Sequence, residues 1–301
     1  MKNQLKTILL ISILSAIVIG LGTSVAPSFA YLFVAIAVAM NIGAYFFSDK
    51  LVLRMHGARE LSSAEAPEIH QVLSELSTRA EIPKPRLYLI PDRQPNAFAT
   101  GRNPAHGVVA LTEGIVELLS PRELRGVIAH ELAHIKNRDI LVSSIAAVFV
   151  SIVTGIANAL SLSSLLGSGN GDSEEEGNSV FGGLLLALVA PFAATLVQLG
   201  ISRSREYLAD EVGASISGDP AALASALRKL ESGSQVVPTD QPHPATSSLF
   251  IVNPLTGGGA VLKLFSTHPS TEERVTRLLA MVHQKQTRPN LPISLMRGLF
   301  E

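Results

Sequence analysis

Apolar residues are concentrated in four uncharged runs. Between Lys6 and Asp49 no side chain carries a charge, and the stretch divides at Gly22–Pro27 into two halves. Each half is long enough to cross about 30 Å of hydrocarbon as a helix, which predicts spans near 7–24 and 28–47. The apolar core of the first is longer than a secretory signal requires and a second span follows after a short loop, so a permanent hairpin is expected. Two further runs, Ile140–Leu166 and Val180–Ile201, flank a polar segment containing Glu174, Glu175 and Glu176. They predict spans three and four, although Ser and Gly within 151–169 and Pro191 dilute their apolar character.

Between these runs the pattern changes to the periods of a folded domain. Ser120-Pro121-Arg122-Glu123 reads as a capping box with proline at the first helical position, followed by Leu124, Val127, Ile128 and Leu132 at intervals of three to four residues. This predicts a helix from Pro121 to about Arg138. A second box, Ser62–Glu65, predicts a helix to about Ala80 that stops before Pro83. Arg86–Ile90, Ala97–Thr100 and Gly107–Leu111 are short runs rich in β-formers and bounded by Pro, Asn and Gly, which predicts a small sheet. Asp219-Pro220 opens a helix expected to end near Glu231, followed by a polar loop over Ser232–Gln241. The apolar patch Leu249–Leu255 suits either a contact with lipid or substrate, or a lid packed on the domain. Ser270–Glu273 is a third box, just after His268. The expected fold is mainly α with a small β-sheet. A hairpin at 1–48 precedes one domain formed by 49–139 and 202–301, interrupted by a second hairpin at 140–201.

Composition supports the membrane reading. Hydrophobic residues make up 47% of the chain and charged residues 16%, against about a quarter charged in soluble domains. Lys2 and Lys6 precede span one and Lys50, Arg54 and Arg59 follow span two. Lys136 and Arg138 precede span three and Arg203 and Arg205 follow span four. All these basic clusters fall on one side, expected to be the cytoplasm, with the acidic Asp172–Glu176 loop opposite.

The candidate chemistry lies in the segment capped by Ser120–Glu123. His130-Glu131-Leu132-Ala133-His134 is an HExxH sequence inside the expected helix, so two imidazoles one turn apart project from one face and can grip one zinc ion. Glu131 beside them is the candidate general base. A catalytic zinc needs a third protein ligand. Glu206 is the best candidate, four residues from Asp210 on a shared helix face, with one carboxylate to ligate and the other to orient a histidine. Asp139 is a poorer ligand, five residues beyond His134, and Glu211 points about 100° away from Glu206. Taken without the HExxH helix, 202–210 would read as a solvated charged helix.

HELAHIKNRD at 130–139, SRSREYLAD at 202–210 and FSTHPSTEERVTRL at 265–278 resemble the HtpX family of membrane zinc endopeptidases, related to the type I CAAX prenyl endopeptidases through a gluzincin core. The resemblance extends to Asn96–Gly101 and Phe250–Leu255 and covers nearly the whole chain. It implies a polytopic membrane protein with a zinc-metalloprotease domain, in which His130, His134 and Glu206 ligate the metal, Glu131 is the catalytic base and Asp210 backs a histidine. It also implies an oxyanion-stabilising role for His268 and a substrate-pairing role for the strand at Asn96, Ala97 and Phe98. The expected activity is metal-assisted hydrolysis of peptide bonds in quality control of membrane proteins. The expected partners are polypeptide substrates, the lipid bilayer and an ATP-dependent membrane protease; no phosphate-binding loop occurs in this chain.

Two other classes remain. A narrow CAAX-like processing protease would need more hydrophobic runs than the chain supplies, and a noncatalytic scaffold with structural zinc would need no Glu131 beside its ligands. The absence of cysteine excludes disulfides and thiolate zinc sites. A net charge of −1 without a concentrated basic surface gives no sign of nucleic-acid binding. His56, His70, His106, His243 and His283 are expected to have no catalytic role.

Overall fold

The computed structural model describes residues 11–12, 15–16, 19–20, 23, 27–148, 203–239, 246–254 and 269–287. A 3-10 turn at Pro27–Phe29 leads into helix α1 (Ala30–Met55). Pro27–Met55 is long and apolar enough to cross a membrane, and Tyr31, Leu32, Phe46 and Phe47 on it are exposed. The helix outlasts the expected span because its end is held by the domain: Ser48, Asp49, Val52 and Leu53 are buried. Of the other expected spans, the described residues within 7–24 and residues 140–148 are helical. The rest of spans one, three and four lies outside the described residues.

Helix α2 (Pro67–Ala80) starts later than its box suggests. Ser62 and Glu65 do exchange capping-box hydrogen bonds, but they close a turn. The ring of Pro67 keeps Ala66 out of the helical region, at φ −136° and ψ 64°. The sheet comprises β1 (Arg59–Glu60), β2 (Arg86–Ile90), β3 (Ala97–Thr100) and β4 (Val108–Thr112), in the order β1-β2-β4-β3. β2 and β4 are parallel and the outer pairs antiparallel, so β3 is an edge strand. Helix α3 (Glu113–Leu118) follows β4 directly, with the Thr112 hydroxyl accepting from the Ile115 N–H.

Helix α4 (Pro121–Lys136) has the complete Ser120–Glu123 capping box. It stops two residues before the expected end because Arg138 turns into the left-handed region at φ 57°, a conformation that costs an ordinary residue about 1 kcal/mol. Helices α5 (Arg203–Ser217) and α6 (Pro220–Val236) follow, and α7 (Thr271–Thr287) comes last. α6 runs through the first residues of the expected polar loop because they are small enough to pack; a Cβ at Gly233 would lie 2.7 Å from the Pro95 ring.

One face of the sheet, with Leu87, Ala97, Ala99, Val109 and Leu111, packs on α2 and α4 through Leu73, Leu76, Val127, Ile128 and Leu132. The opposite face, with Ile90, Phe98 and Ala110, meets the end of α1 at Val52 and Leu53. The crossings of α4 depend on two glycines. A Cβ on Gly213 of α5 would sit 2.8 Å from the His130 Cα, and one on Gly126 of α4 would sit 3.0 Å from the Leu223 backbone nitrogen of α6.

Candidate metal centre

The spacing of two histidines on α4 puts both rings against α5, where Glu206 and Asp210 project from one face. The Nε2 atoms of His130 and His134 are 3.1 Å apart, and Glu206 oxygens lie 3.7 Å from each of them. One ligand atom from each of these three side chains falls within 4.8 Å of the others. A tetrahedral ion with bonds of about 2.0–2.1 Å holds its ligands about 3.4 Å apart; the ring nitrogens are close to that spacing, and each has a different Glu206 oxygen 3.7 Å away, Oε2 for His130 and Oε1 for His134. Two nitrogens and one carboxylate oxygen are the donor set of a catalytic zinc site that keeps a further position open.

The remaining ring nitrogens point away from that centre, each toward its own carboxylate. His130 Nδ1 is 3.0 Å from Asp210 Oδ1 and His134 Nδ1 is 3.2 Å from Asp139 Oδ2. A carboxylate behind each imidazole fixes which nitrogen faces inward and strengthens it as a donor. Asp139 reaches its histidine because the left-handed turn at Arg138 folds the chain back across the end of α4. Read from sequence as a poor ligand, it is instead the counterpart of Asp210.

Arg274 completes the cluster. Its guanidinium is 2% exposed and grips Asp210 with two bonds, Nε to Oδ2 at 2.8 Å and Nη2 to Oδ1 at 2.7 Å. Nη1 lies 3.8 Å from Glu206 Oε2 and donates to the Ile251 carbonyl at 2.9 Å. Sequence reasoning did not single out this residue, since an arginine in Ser-Thr-Glu-Glu-Arg looks like a solvated helix start. Its available signal was membership of the 265–278 motif.

Electrostatics follow from burial. Glu131 is 1% exposed, and neither carboxylate oxygen has a hydrogen-bond partner among the described residues. Burial pushes its pKa up to about 8 against the pull of His134. For His134 burial disfavours charge, but Asp139, Glu206 and Glu131 outweigh it and hold the pKa at about 10. Burial drives His130 down despite its bond to Asp210. Burial also works against the Asp210 charge, and the Arg274 guanidinium overcomes it and keeps that pKa below the usual range. Glu131, Asp139, Glu206 and Asp210 stand against two nearby guanidiniums, Arg274 and the half-buried Arg205. With Glu131 neutral and His134 protonated these charges balance at pH 7, and a bound cation would take the place of the His134 proton.

The structure thus brings together His130, Glu131, His134, Glu206 and Asp210. Asn96 lies just before β3, and Ala97 and Phe98 begin it. His268 is outside the described residues. Within the apolar patch Phe250, Ile251 and Val252 are buried on the domain, which agrees with the packed reading of the two.

Comparison with known proteins bears directly on this site. Residues 63–282 match peptidase family M48. A protease HtpX homologue from Syntrophobacter fumaroxidans is 50% identical over 283 residues, covering 93% of this chain and 100% of that protein. One from Aquifex aeolicus is 52% identical over 252 residues, 83% of each chain. The fold is similar to the crystal structure of S. mikatae Ste24p, with a TM-score of 0.50 and 19% identity over 92% of this chain and 65% of that one. The family match spans the elements that carry His130, His134, Glu206 and Arg274, and the chain belongs to peptidase family M48 as a protease of the HtpX kind.

Proposed function

We propose that this protease is a zinc-dependent endopeptidase of the membrane that cuts misfolded or damaged membrane proteins at segments reaching the cytoplasm. The observation that carries the reading is the convergence of His130 Nε2, His134 Nε2 and a Glu206 oxygen beside the buried, unpartnered carboxylate of Glu131. When bound, zinc supplies Lewis-acid activation of water and of the peptide carbonyl. His130, His134 and Glu206 hold the ion, and Asp210 and Asp139 orient the two rings. Glu131 takes a proton from the attacking water on its carboxylate and delivers it to the leaving amine. Burial raises the pKa of this carboxylate and an adjacent bound cation would lower it, opposing effects that suit a group which must both accept and release a proton. Arg274 keeps Asp210 ionised and in place. His268 is proposed to stabilise the developing oxyanion, and the edge strand beginning at Asn96, Ala97 and Phe98 to pair with extended substrate backbone, which reads main chain more than side chain.

The exposed apolar length of α1 supports a membrane anchor. Hairpins at 1–48 and 140–201, with the catalytic parts 49–139 and 202–301 on the cytoplasmic side, would bring all three ligands to one compartment, together with an ATP-dependent membrane protease as functional companion.

The test separates ligands from base. His134→Ala and Glu206→Gln are expected to lose zinc, whereas Glu131→Gln keeps it and loses casein cleavage. Full zinc occupancy and activity in Glu206→Gln would remove Glu206 from the ligand set.

A further inference from the structure

We infer that the segment Phe250–Pro254 is a fixed end-stop on the substrate edge of the sheet, so that substrate backbone pairs at Ala99 and is turned away at Ala97. This rests on the reading of β3 as the substrate-pairing strand.

The backbone pattern defines which atoms face outward. The Asn96 carbonyl accepts the Thr112 N–H of β4 at 3.0 Å. Successive residues of a strand present their backbone groups to opposite sides, so in this register Ala97 and Ala99 direct theirs away from β4. The outward groups of Ala97 are already engaged. Its carbonyl accepts the Ile251 N–H at 3.0 Å, and its N–H donates to the Asn96 side chain at 3.1 Å. Among the described residues no hydrogen bond reaches the outward groups of Ala99.

The blocking segment is clamped along its length. Asn96 acts as a piece of strand, its Nδ2 donating to the Val252 carbonyl at 2.7 Å and its Oδ1 accepting the Val252 N–H at 3.3 Å. Arg274 holds the Ile251 carbonyl at 2.9 Å and Gln94 Nε2 the Pro254 carbonyl at 3.0 Å. Phe250 stands edge-on to Phe98, with ring centroids 5.1 Å apart. A net hydrogen bond biases a seated segment by about fivefold, so the five bonds holding 251–254 multiply to a factor of order 10³. That magnitude separates a stop from a lid: a peptide offering one or two backbone bonds cannot displace it. The part of the edge not engaged by 251–254 runs from Ala99, 4% exposed, to Thr100, whose hydroxyl lies 2.7 Å from that of Ser144. Only a chain able to bend off the edge after a short pairing fits, which favours unfolded segments over regular strands.

The experiment follows amide hydrogen exchange in the full-length, zinc-loaded Glu131→Gln protein with and without a saturating casein-derived peptide that the wild type cleaves. Ile251 and Val252 are expected to exchange slowly in both states, while Ala99 slows by about tenfold on binding. Faster exchange at Ile251 and Val252 with peptide bound would make the segment a displaceable lid and overturn the stop. Peptide binding that leaves Ala99 unchanged would instead overturn the edge-strand reading and the stop with it. Asn96→Ala, which removes both clamps on Val252, is expected to speed exchange there and to add cleavage sites in casein with zinc content intact. Speeded exchange with an unchanged cleavage map, or exchange that stays slow, would each refute the inference.

Discussion

Gly213→Ala tests whether the metal centre depends on the close approach of α5 to α4. The added Cβ would lie 2.8 Å from His130 Cα, 2.9 Å from its nitrogen and 3.1 Å from the Ala129 carbonyl carbon. These are backbone atoms of a capped helix, with no flexible side chain to yield. Carbon atoms rest at about 3.5–4.0 Å, so the helices must part by roughly 1 Å. Asp210, one turn earlier, then moves from 3.0 Å to about 4 Å from His130 Nδ1, beyond hydrogen-bond reach. Glu206 moves from 3.7 Å to about 4.7 Å from the ring nitrogens, more than one ion with bonds of about 2.1 Å can bridge. Overpacking of this kind costs about 1–3 kcal/mol, and a 1 Å misplacement costs about 100-fold in turnover. The assay is chelator titration of bound zinc alongside thermal unfolding. Gly126→Ala serves as the control, because its Cβ presses on Leu223 at 3.0 Å, away from the ligands. It is expected to lower stability while keeping zinc affinity. Zinc affinity within twofold of wild type in a folded Gly213→Ala protein would refute the reasoning.

Arg274→Ala strands the Asp210 carboxylate in a buried site and is expected to cost about 3–5 kcal/mol of stability by thermal unfolding; a loss below 1 kcal/mol would mean water replaces the guanidinium freely. Asp210→Asn is expected to weaken zinc retention by about 10 to 100-fold in chelator titration without abolishing it, and a titration equal to wild type would make Asp210 irrelevant to the metal. Glu123 is pushed up by burial but held down at about 2, from an ordinary 4.5, by Lys229, Ser225 and Ser120. With a depressed folded pKa, its contribution is complete above about pH 4.5 and disappears as pH falls through about 2. Glu123→Gln should therefore lower Tm at pH 7 and converge on wild type near pH 2; an offset unchanged with pH would contradict the assignment. A reporter active only outside the cytoplasm should be active when fused within 169–177 and silent after Glu231, and cytosolic accessibility of 169–177 would remove the second hairpin.

What the sequence made readable was local. The Ser120 box, the four-residue spacing of His130 and His134, and that of Glu206 and Asp210 are helix-period signals, and the geometry of one helix turn carries them into space. Strand limits were close for the same reason, with β3 as expected and β4 displaced by one residue. Long-range items left no such trace. Arg274 is buried because α7 packs on α6 and α5 beneath the Ile251 segment, and Asp139 serves His134 only because of the left-handed turn at Arg138. Gly213 in sequence is merely a weak helix position; the crossing gives it a purpose. Pro67 shows a local rule overriding another, since the box at Ser62 was real but proline's restriction on Ala66 placed the helix start.

The centre is assembled from widely separated parts of the chain: the histidines lie on α4, Glu206 on α5 and Arg274 on α7. About 140 residues separate His134 from Arg274, and a ribosome adds about 5–20 residues per second. For roughly 7–28 seconds of synthesis, the emerging polypeptide therefore carries its two histidines without the arginine that secures Asp210. A proteolytic enzyme built in this order has its metal-binding side chains ahead of the group that fixes Asp210, so the centre reaches its final rigidity only when translation is nearly finished.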